Sequence, residues 1–364
     1  VNPRDTVDGN AVVYCEGAYN TPNGKTAHGL VRFTNRYRVV SVIDSRYNGR
    51  DAGEVLDGKT DGIPLVASLE HALEHARRQG QGATHFVIGL APDGGRLPEN
   101  ARDAVALALT GGLNVDCGLH DFLSEDPRLS ELARQKGLAI RDIRRPPDRN
   151  SLHFFSGKIE AVTAFKVAVL GTDSAVGKRT TAWKIVQGFN LKGVKTEMIG
   201  TGQTAWMQGA RYCLIMDSLI NDFVSGEIEH AIWSAWKEAA AEVVVIEGQG
   251  SLMNPAYPGG FEILAAGRPD AVVLQHAPAR KDYDGFPGYP IQPLAQQIEV
   301  IEKLSGRPVV AVTVNHENLD AEEIPLICKD IEKQVGVPAF DVLLEDPVRL
   351  VETLLLFKGK RDRS

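Results

Sequence analysis

Residues 165–183, FKVAVLGTDSAVGKRTTAW, limit the possible folds more than any other stretch. A run of apolar residues ends at Gly171, a loop containing Asp173, Ser174 and Gly177 follows, and Lys178 opens a stretch able to form a helix. This order of strand, glycine-bearing loop and helix suits a phosphate group for three reasons. Glycine lets consecutive main-chain N–H groups turn into one concavity. The helix start adds partial positive charge. Lys178 supplies a mobile full charge. The loop Gly171, Thr172, Asp173, Ser174, Ala175, Val176, Gly177, Lys178, Arg179 and Thr180 is therefore the expected phosphate cradle, for a ligand carrying a pyrophosphate or polyphosphate.

The spacing departs from the usual GxxxxGK[ST] loop. Five residues separate Gly171 from Gly177, and Arg179 stands where a hydroxyl residue normally follows the lysine. In NTP-hydrolysing loops that hydroxyl binds Mg²⁺. A guanidinium has no acceptor atom and repels a cation. Thr180 and Thr181 lie at other angles, because neighbouring helix positions are turned by ~100°. The pattern favours a diphosphate held without metal, such as that of coenzyme A, over NTP hydrolysis.

A cradle of this kind sits in an α/β fold, and the rest of the chain agrees. Strands are expected at Ala11–Cys15, Arg38–Ile43, Pro64–Val66, His85–Leu90 and Leu138–Ile143, with helices from Ser68 to Gln79, Pro98–Leu109 and Pro127–Lys136 between them. After the Pro-rich seam at Arg144–Ser151, strands are expected at Phe165–Leu170, Val194–Ile199, Glu242–Ile246, Ala271–Leu274 and Pro308–Val314. Helices are expected at Gly177–Leu191, Asp222–Ala240, Ile291–Leu304, Ala321–Val335 and Asp346–Leu355. Alternating strands and helices predict two mainly parallel α/β domains, residues 1–147 and 151–364. The chain's 364 residues suit two cores.

The formal charge of −7 disfavours a nucleic-acid partner. No apolar run approaches the ~18 residues that span a bilayer, and the start VNPRDTVDGN lacks a signal-peptide core. The four cysteines are far apart and form no CxxC pair. A cytoplasmic protein with no resident metal, no membrane partner and a small-molecule substrate is expected, and a homo-oligomer.

Three further segments are placed to line the same crevice, since ligands bind at the strand ends of such sheets. EVVVIEGQGSL puts Glu247 at a strand end, as a metal ligand, a general base or an ammonium-binding anion. GTGQTAWMQG offers Gln203 and Thr204 as donors to substrate. LQHAPARKDYDGFPGYP carries His276 and the Arg280–Lys281 pair, suited to a carboxylate or phosphate. Asp217 and His276 stand behind Glu247 as catalytic candidates, while Asp222 reads equally as a helix N-cap or as a functional carboxylate. In the first half, GKTAHG at Gly24–Gly29 has the look of a second phosphate loop but lacks an upstream glycine at the right distance. Asp44 ends a strand where Rossmann domains grip a ribose, yet no GxGxxG precedes it, so NAD is not expected. His120 is the histidine to watch there.

GTDSAVGK closely resembles the GTDTxVGKT loop of dethiobiotin synthetase, and EGQGS resembles its EGAGG, where the Glu helps hold Mg²⁺. With VIDSRYNGRDAGEVL, FVIGLAPDGGRLP, CGLHDFL, GTGQTAWM, DFVSGEIEHAI, IEGQGSLMNPAYPG and QHAPARKDYDGFP, nearly the whole chain resembles one two-domain family. That family was long catalogued as a conserved domain of unknown function. The resemblance implies a Rossmann-like amino-terminal domain and a dethiobiotin-synthetase-like P-loop domain. Members have been assigned as D-glutamate N-acetyltransferases that use acetyl-CoA. The implied activity is acetyl transfer from acetyl-CoA to D-glutamate or a similar amino acid. Two other readings stay open: an ATP-dependent ligase or kinase, which alone would need Mg²⁺, and a non-catalytic nucleotide sensor.

Overall fold

The structure is a computed structural model that describes residues 7–345 and 347–363. Most of the expected amino-terminal start, and Asp346 at the expected beginning of the last helix, lie outside the described residues. The chain divides into two compact units. One holds the described residues up to Pro146 together with Gln203–Gly209; the other holds Pro147–Gly202 and the chain from Ala210 onward.

The first unit runs β1 (Gly9–Tyr14), α1 (Lys25–Arg32), β2 (Tyr37–Ile43), α2 (Ala52–Asp57), β3 (Leu65–Val66), α3 (Leu69–Arg78), β4 (His85–Ile88), α4 (Glu99–Thr110), β5 (Asn114–Cys117), α5 (Pro127–Lys136) and β6 (Ile140–Asp142). Its six strands lie in the order β3-β2-β1-β4-β5-β6, every pair parallel. This is the Rossmann strand order. Val12, Val13, Phe86, Val87 and Val115 are fully buried, as strands covered on both faces require. Ser68 accepts the His71 N–H at 3.3 Å and starts α3, as its position in the sequence predicts.

Strand β5 was not visible in the periodicity because NVDC carries a carboxylate. Its Asp116 is nevertheless fully buried, since it accepts from Tyr37 Oη at 2.6 Å and from Arg141 Nε and Nη2 at 2.5 and 2.7 Å. A buried charge is tolerable when paired and hydrogen-bonded in this way.

The second unit runs β7 (Phe165–Gly171), α6 (Lys178–Leu191) and β8 (Thr196–Gly200), then after the excursion α7 (Gln203–Met207) continues with β9 (Tyr212–Cys213), α8 (Asn221–Ala239) and β10 (Val243–Glu247). It closes with α9 (Phe261–Gly267), β11 (Ala271–His276), α10 (Leu294–Ser305), β12 (Val309–Val314), α11 (Ile324–Val335), β13 (Ala339–Phe340) and α12 (Val348–Arg361). Seven parallel strands form the order β13-β12-β11-β7-β10-β8-β9, with β7 at the centre. Register sets Glu247 level with Val169, and Gln275 level with Gly171. The ends of β7, β10 and β11 thus share one edge. α8 begins one residue before Asp222, so Asp222 sits in the first turn and is not the N-cap expected of it.

α7 is the main departure from the sequence reading. Met207 is fully buried in the first unit's core. The Arg36 guanidinium lies 3.6 Å over the Trp206 ring, and Gln208 Nε2 donates to the Gly29 and Phe33 carbonyls at 2.8 and 3.0 Å. Apolar and hydrogen-bonding partners from α1 and its flanks draw this segment out of the sequence-local domain.

Candidate active site

The phosphate loop adopts the form its glycines permit. Ala175 has φ +51° and Gly177 φ +104°, so the chain twice enters the left-handed region before α6 begins. Thr172 N–H donates to the Gln275 carbonyl at 2.9 Å and Ser174 N–H to Asp173 Oδ1 at 2.6 Å. The next three amides, of Ala175, Val176 and Gly177, have no acceptor among the described residues. Main-chain donors left in a row at a helix start are what an anion nest needs. Lys178 is buried and folds back over the loop, its Nζ donating to the Asp173 and Gly250 carbonyls at 2.7 Å each.

Asp173 does something its position in the sequence did not indicate. Its carboxylate is fully buried. Oδ1 also accepts from Asn254 Nδ2 at 2.8 Å, while Oδ2 accepts from Arg280 Nη1 at 2.7 Å and from Asp284 N–H at 2.8 Å. Arg280 donates as well to the Ser174 carbonyl at 2.8 Å and to Glu317 Oε2 at 2.5 Å. Arg280 was expected to hold a substrate carboxylate. Its guanidinium is instead committed to two carboxylates and a carbonyl of this chain, and its partner Lys281 is exposed.

The hydroxyls near Lys178 are unevenly available. Thr181 donates to Gln275 Oε1, which also accepts from Thr313 Oγ1 at 2.6 Å, so its hydroxyl is fixed inside the fold. Thr180 is half-buried with no hydrogen bond from its hydroxyl to the described residues. Arg179 is half-buried at the start of α6.

Glu247 is buried at the end of β10, where the sequence placed it. Its Oε2 accepts the Thr201 N–H at 2.9 Å, and Thr201 Oγ1 in turn accepts from Gln249 Nε2 at 2.8 Å. Oε1 accepts no hydrogen bond from the described residues. Burial pushes this carboxyl above its ordinary value, while the charge of Arg179, the Thr201 N–H and the charge of Lys178 pull against it. A carboxylate made reluctant to ionise is a stronger proton acceptor.

His276 ends β11 with Nδ1 3.0 Å from Thr172 Oγ1. Burial lowers it from 6.5 to about 4, so it is a neutral imidazole near pH 7. It is thus no anion-binding cation. Asp217 is exposed, in a short 3₁₀ turn at Met216–Ser218 whose Met216 N–H bonds the Thr201 carbonyl at 3.1 Å. The structure gathers Gly171–Thr180, Glu247, His276 and Arg280 in the second unit. Gln203 and Thr204 are residues of the first. Thr204 is buried with its hydroxyl 3.2 Å from that of Thr26, so it packs rather than presenting a donor.

A family model described as a domain of unknown function (DUF1611_C), P-loop domain, matches residues 153–351. Its companion, a domain of unknown function (DUF1611_N), Rossmann-like domain, matches residues 45–146. A protein of Tritonibacter scottomollicae named D-glutamate N-acetyltransferase is 30% identical over 298 residues, covering 78% of this chain and 84% of its own. One of the same name from a Pseudoalteromonas species is 30% identical over 279 residues, covering 75% and 82%. The crystal structure of a DUF1611 family protein from Anabaena variabilis superposes with a TM-score of 0.87 at 27% identity, covering 96% of this chain and 99% of that one. No described helix is long and apolar enough to cross a membrane. With both domain models matched in order and relatives aligned over three quarters of its length, the chain belongs to the DUF1611 family, which joins a Rossmann-like domain to a P-loop domain.

Proposed function

We propose that this protein is an N-acetyltransferase that moves the acetyl group of acetyl-CoA to the amino group of D-glutamate. The observation that carries the reading is a phosphate loop with three amides in a row that have no acceptor among the described residues, and whose usual metal-binding position is an arginine. Such a donor set fits the diphosphate of coenzyme A. The names of the two relatives, D-glutamate N-acetyltransferase, support transfer of an acetyl group to D-glutamate.

Amine attack on a thioester needs no enzyme nucleophile. The chain must hold both substrates, remove a proton from the ammonium and favour the tetrahedral oxyanion. The Ala175–Gly177 amides and Lys178 bind the diphosphate. Glu247, held by Thr201 through one oxygen, takes the ammonium proton on the other. The amine nitrogen then bonds the carbonyl carbon, the C–S bond breaks, and the second proton that the nitrogen sheds goes to the departing sulfur, so that coenzyme A leaves as the thiol. His276, neutral and tied to Thr172, is a polar neighbour of the loop.

An ATP-dependent ligase or kinase needs a hydroxyl on Mg²⁺. Arg179 fills that position and the Thr181 hydroxyl is bound to Gln275, which leaves Thr180 as a poorly angled substitute. Calorimetric titration with acetyl-CoA, CoA and Mg·ATP, followed by thiol release with D- and L-glutamate, separates the readings. Acetyl-CoA binding with thiol release dependent on D-glutamate supports the transferase. Tight Mg·ATP binding with phosphate release overturns it, and binding without turnover points to a sensor. In the transferase, Glu247→Gln lowers kcat with little change in KM for acetyl-CoA; an unchanged kcat removes Glu247 from the chemistry.

A further inference from the structure

A carboxylate inside an anion-binding loop is a contradiction that the fold has to resolve. Asp173 is the third residue of the loop, fully buried, and two residues before the first unpartnered amide. Left alone it would repel a diphosphate at short range, and desolvation would make the bare charge costly. Apart from the Ser174 N–H within the loop, every hydrogen bond its carboxylate accepts ties the loop to a neighbouring segment. Asn254, after β10, donates to it with its amide group and accepts the Ala256 and Tyr257 N–H groups at 2.8 and 2.9 Å with its oxygen. Asp284, after β11, gives it an N–H and also accepts from Ser174 Oγ at 3.3 Å. Arg280 supplies the countercharge and reaches past Asp173 to the Ser174 carbonyl and to Glu317, after β12. Two loops from two strand ends therefore converge on one carboxylate, and a third, after β12, joins them through Arg280.

We propose that Asp173 and Arg280 are positioning residues for anion binding. Asp173 gathers the loops that follow β10 and β11 around the phosphate loop, while Arg280 brings in the loop after β12 and cancels the Asp173 charge so that the nest remains attractive to phosphate. Neither side chain touches the ligand. The proposal rests on the anion-nest part of the reading above and not on the identity of the acceptor.

The test measures Kd for CoA and for inorganic pyrophosphate, and KM for the acceptor, in the intact protein and in Arg280→Met, Arg280→Lys, Asp173→Asn and the double variant Asp173→Asn/Arg280→Met. Melting of the ligand-free proteins confirms folding. Stranding the Asp173 charge in Arg280→Met should weaken both anions by about 30-fold, the cost of leaving a buried charge unpaired. Arg280→Lys should recover part of this, because an ammonium restores the charge but cannot span all three acceptors. The double variant, with both charges gone, should bind the anions more tightly than Arg280→Met alone. Unchanged Kd values with a raised KM for the acceptor make Arg280 a substrate ligand and overturn the proposal. A double variant as weak as Arg280→Met also overturns it, since only loop shape would then matter. If the unaltered protein binds neither anion, the nest and the proposal fall together. If it binds pyrophosphate but transfers no acetyl group, the transferase reading fails alone and the binding comparison still decides the brace.

Discussion

Each unit of this protein has a strand, a loop and a Gly-Lys pair opening a helix, and the two junctions behave differently. In the first unit the chain leaves β1 and reaches Gly24–Lys25. Five amides along the way are already satisfied: Ala18 and Tyr19 donate to the Cys15 carbonyl, Thr21 to Ala18, Gly24 to Thr21, and Lys25 to Pro22. Tyr19 N–H also donates to buried Asp44 at 2.9 Å. Gly24 has φ −95°, and Lys25 is exposed. In the second unit, Gly177 has φ +104°, Lys178 is folded over the loop, and three amides are left to the site. The comparison teaches that a Gly-Lys helix start has amides to offer a ligand only when the loop withholds them from itself. Glycine at φ > 0 helps turn them outward.

The largest expected difference is in the lysines. Lys178→Ala should weaken CoA binding by about 100-fold, as loss of a buried charge from a phosphate contact does, whereas Lys25→Ala should leave it unchanged. Calorimetry checks both, and equal losses would erase the distinction. Next comes Asp44, which holds Tyr19 N–H and pairs with Arg46 Nη2 at 2.7 Å. Asp44→Ala should cost about 2–3 kcal/mol of stability, read by denaturant unfolding, with unchanged Kd for CoA in the folded fraction.

The glycines come third, and the same change should act for different reasons. At Gly177 an added Cβ meets ordinary contacts of 3.5 Å or more, so Gly177→Ala suffers from its φ alone, by about 1–2 kcal/mol. Its CoA affinity should fall with the loop's shape. At Gly24 a Cβ would approach the Ala18 carbonyl oxygen to 2.6 Å. Gly24→Ala should therefore melt earlier and bind CoA normally.

The smallest effect is in pH dependence. His276 titrates at about 4 in the fold and near 6.5 unfolded, so the unfolded chain binds more protons between those values. Its contribution to stability is present above pH ~6.5 and is lost as pH falls toward ~4. His276→Gln should flatten that part of the stability curve, and an unaltered slope would show that the imidazole is not desolvated.

Much of the architecture was legible because it depends on local pattern. Val-rich runs covered on both faces, a Ser68 cap and the spacing of Gly171, Gly177 and Lys178 are all short-range signals. Glu247 was legible too, as a carboxylate ending an apolar strand. Asp173 and Arg280 were misread because their meaning lies in each other, 107 residues apart in sequence. Gln203 and Thr204 follow β8 directly and read as part of its crevice, yet Met207 and Trp206 find their partners in the first unit. Nothing in GTGQTAWMQG announces which core will bury it.

The sequence alone determined two parallel α/β units and a glycine-and-lysine turn at the start of a helix, because strand burial, helix capping and glycine's freedom at φ > 0 act over a few residues. Only the tertiary structure decided which amides stay available, which arginine is already engaged and which unit claims α7. Those outcomes depend on hydrogen-bond partners and buried surface supplied by distant parts of the chain, and a donor already satisfied within the fold has nothing left to offer a ligand.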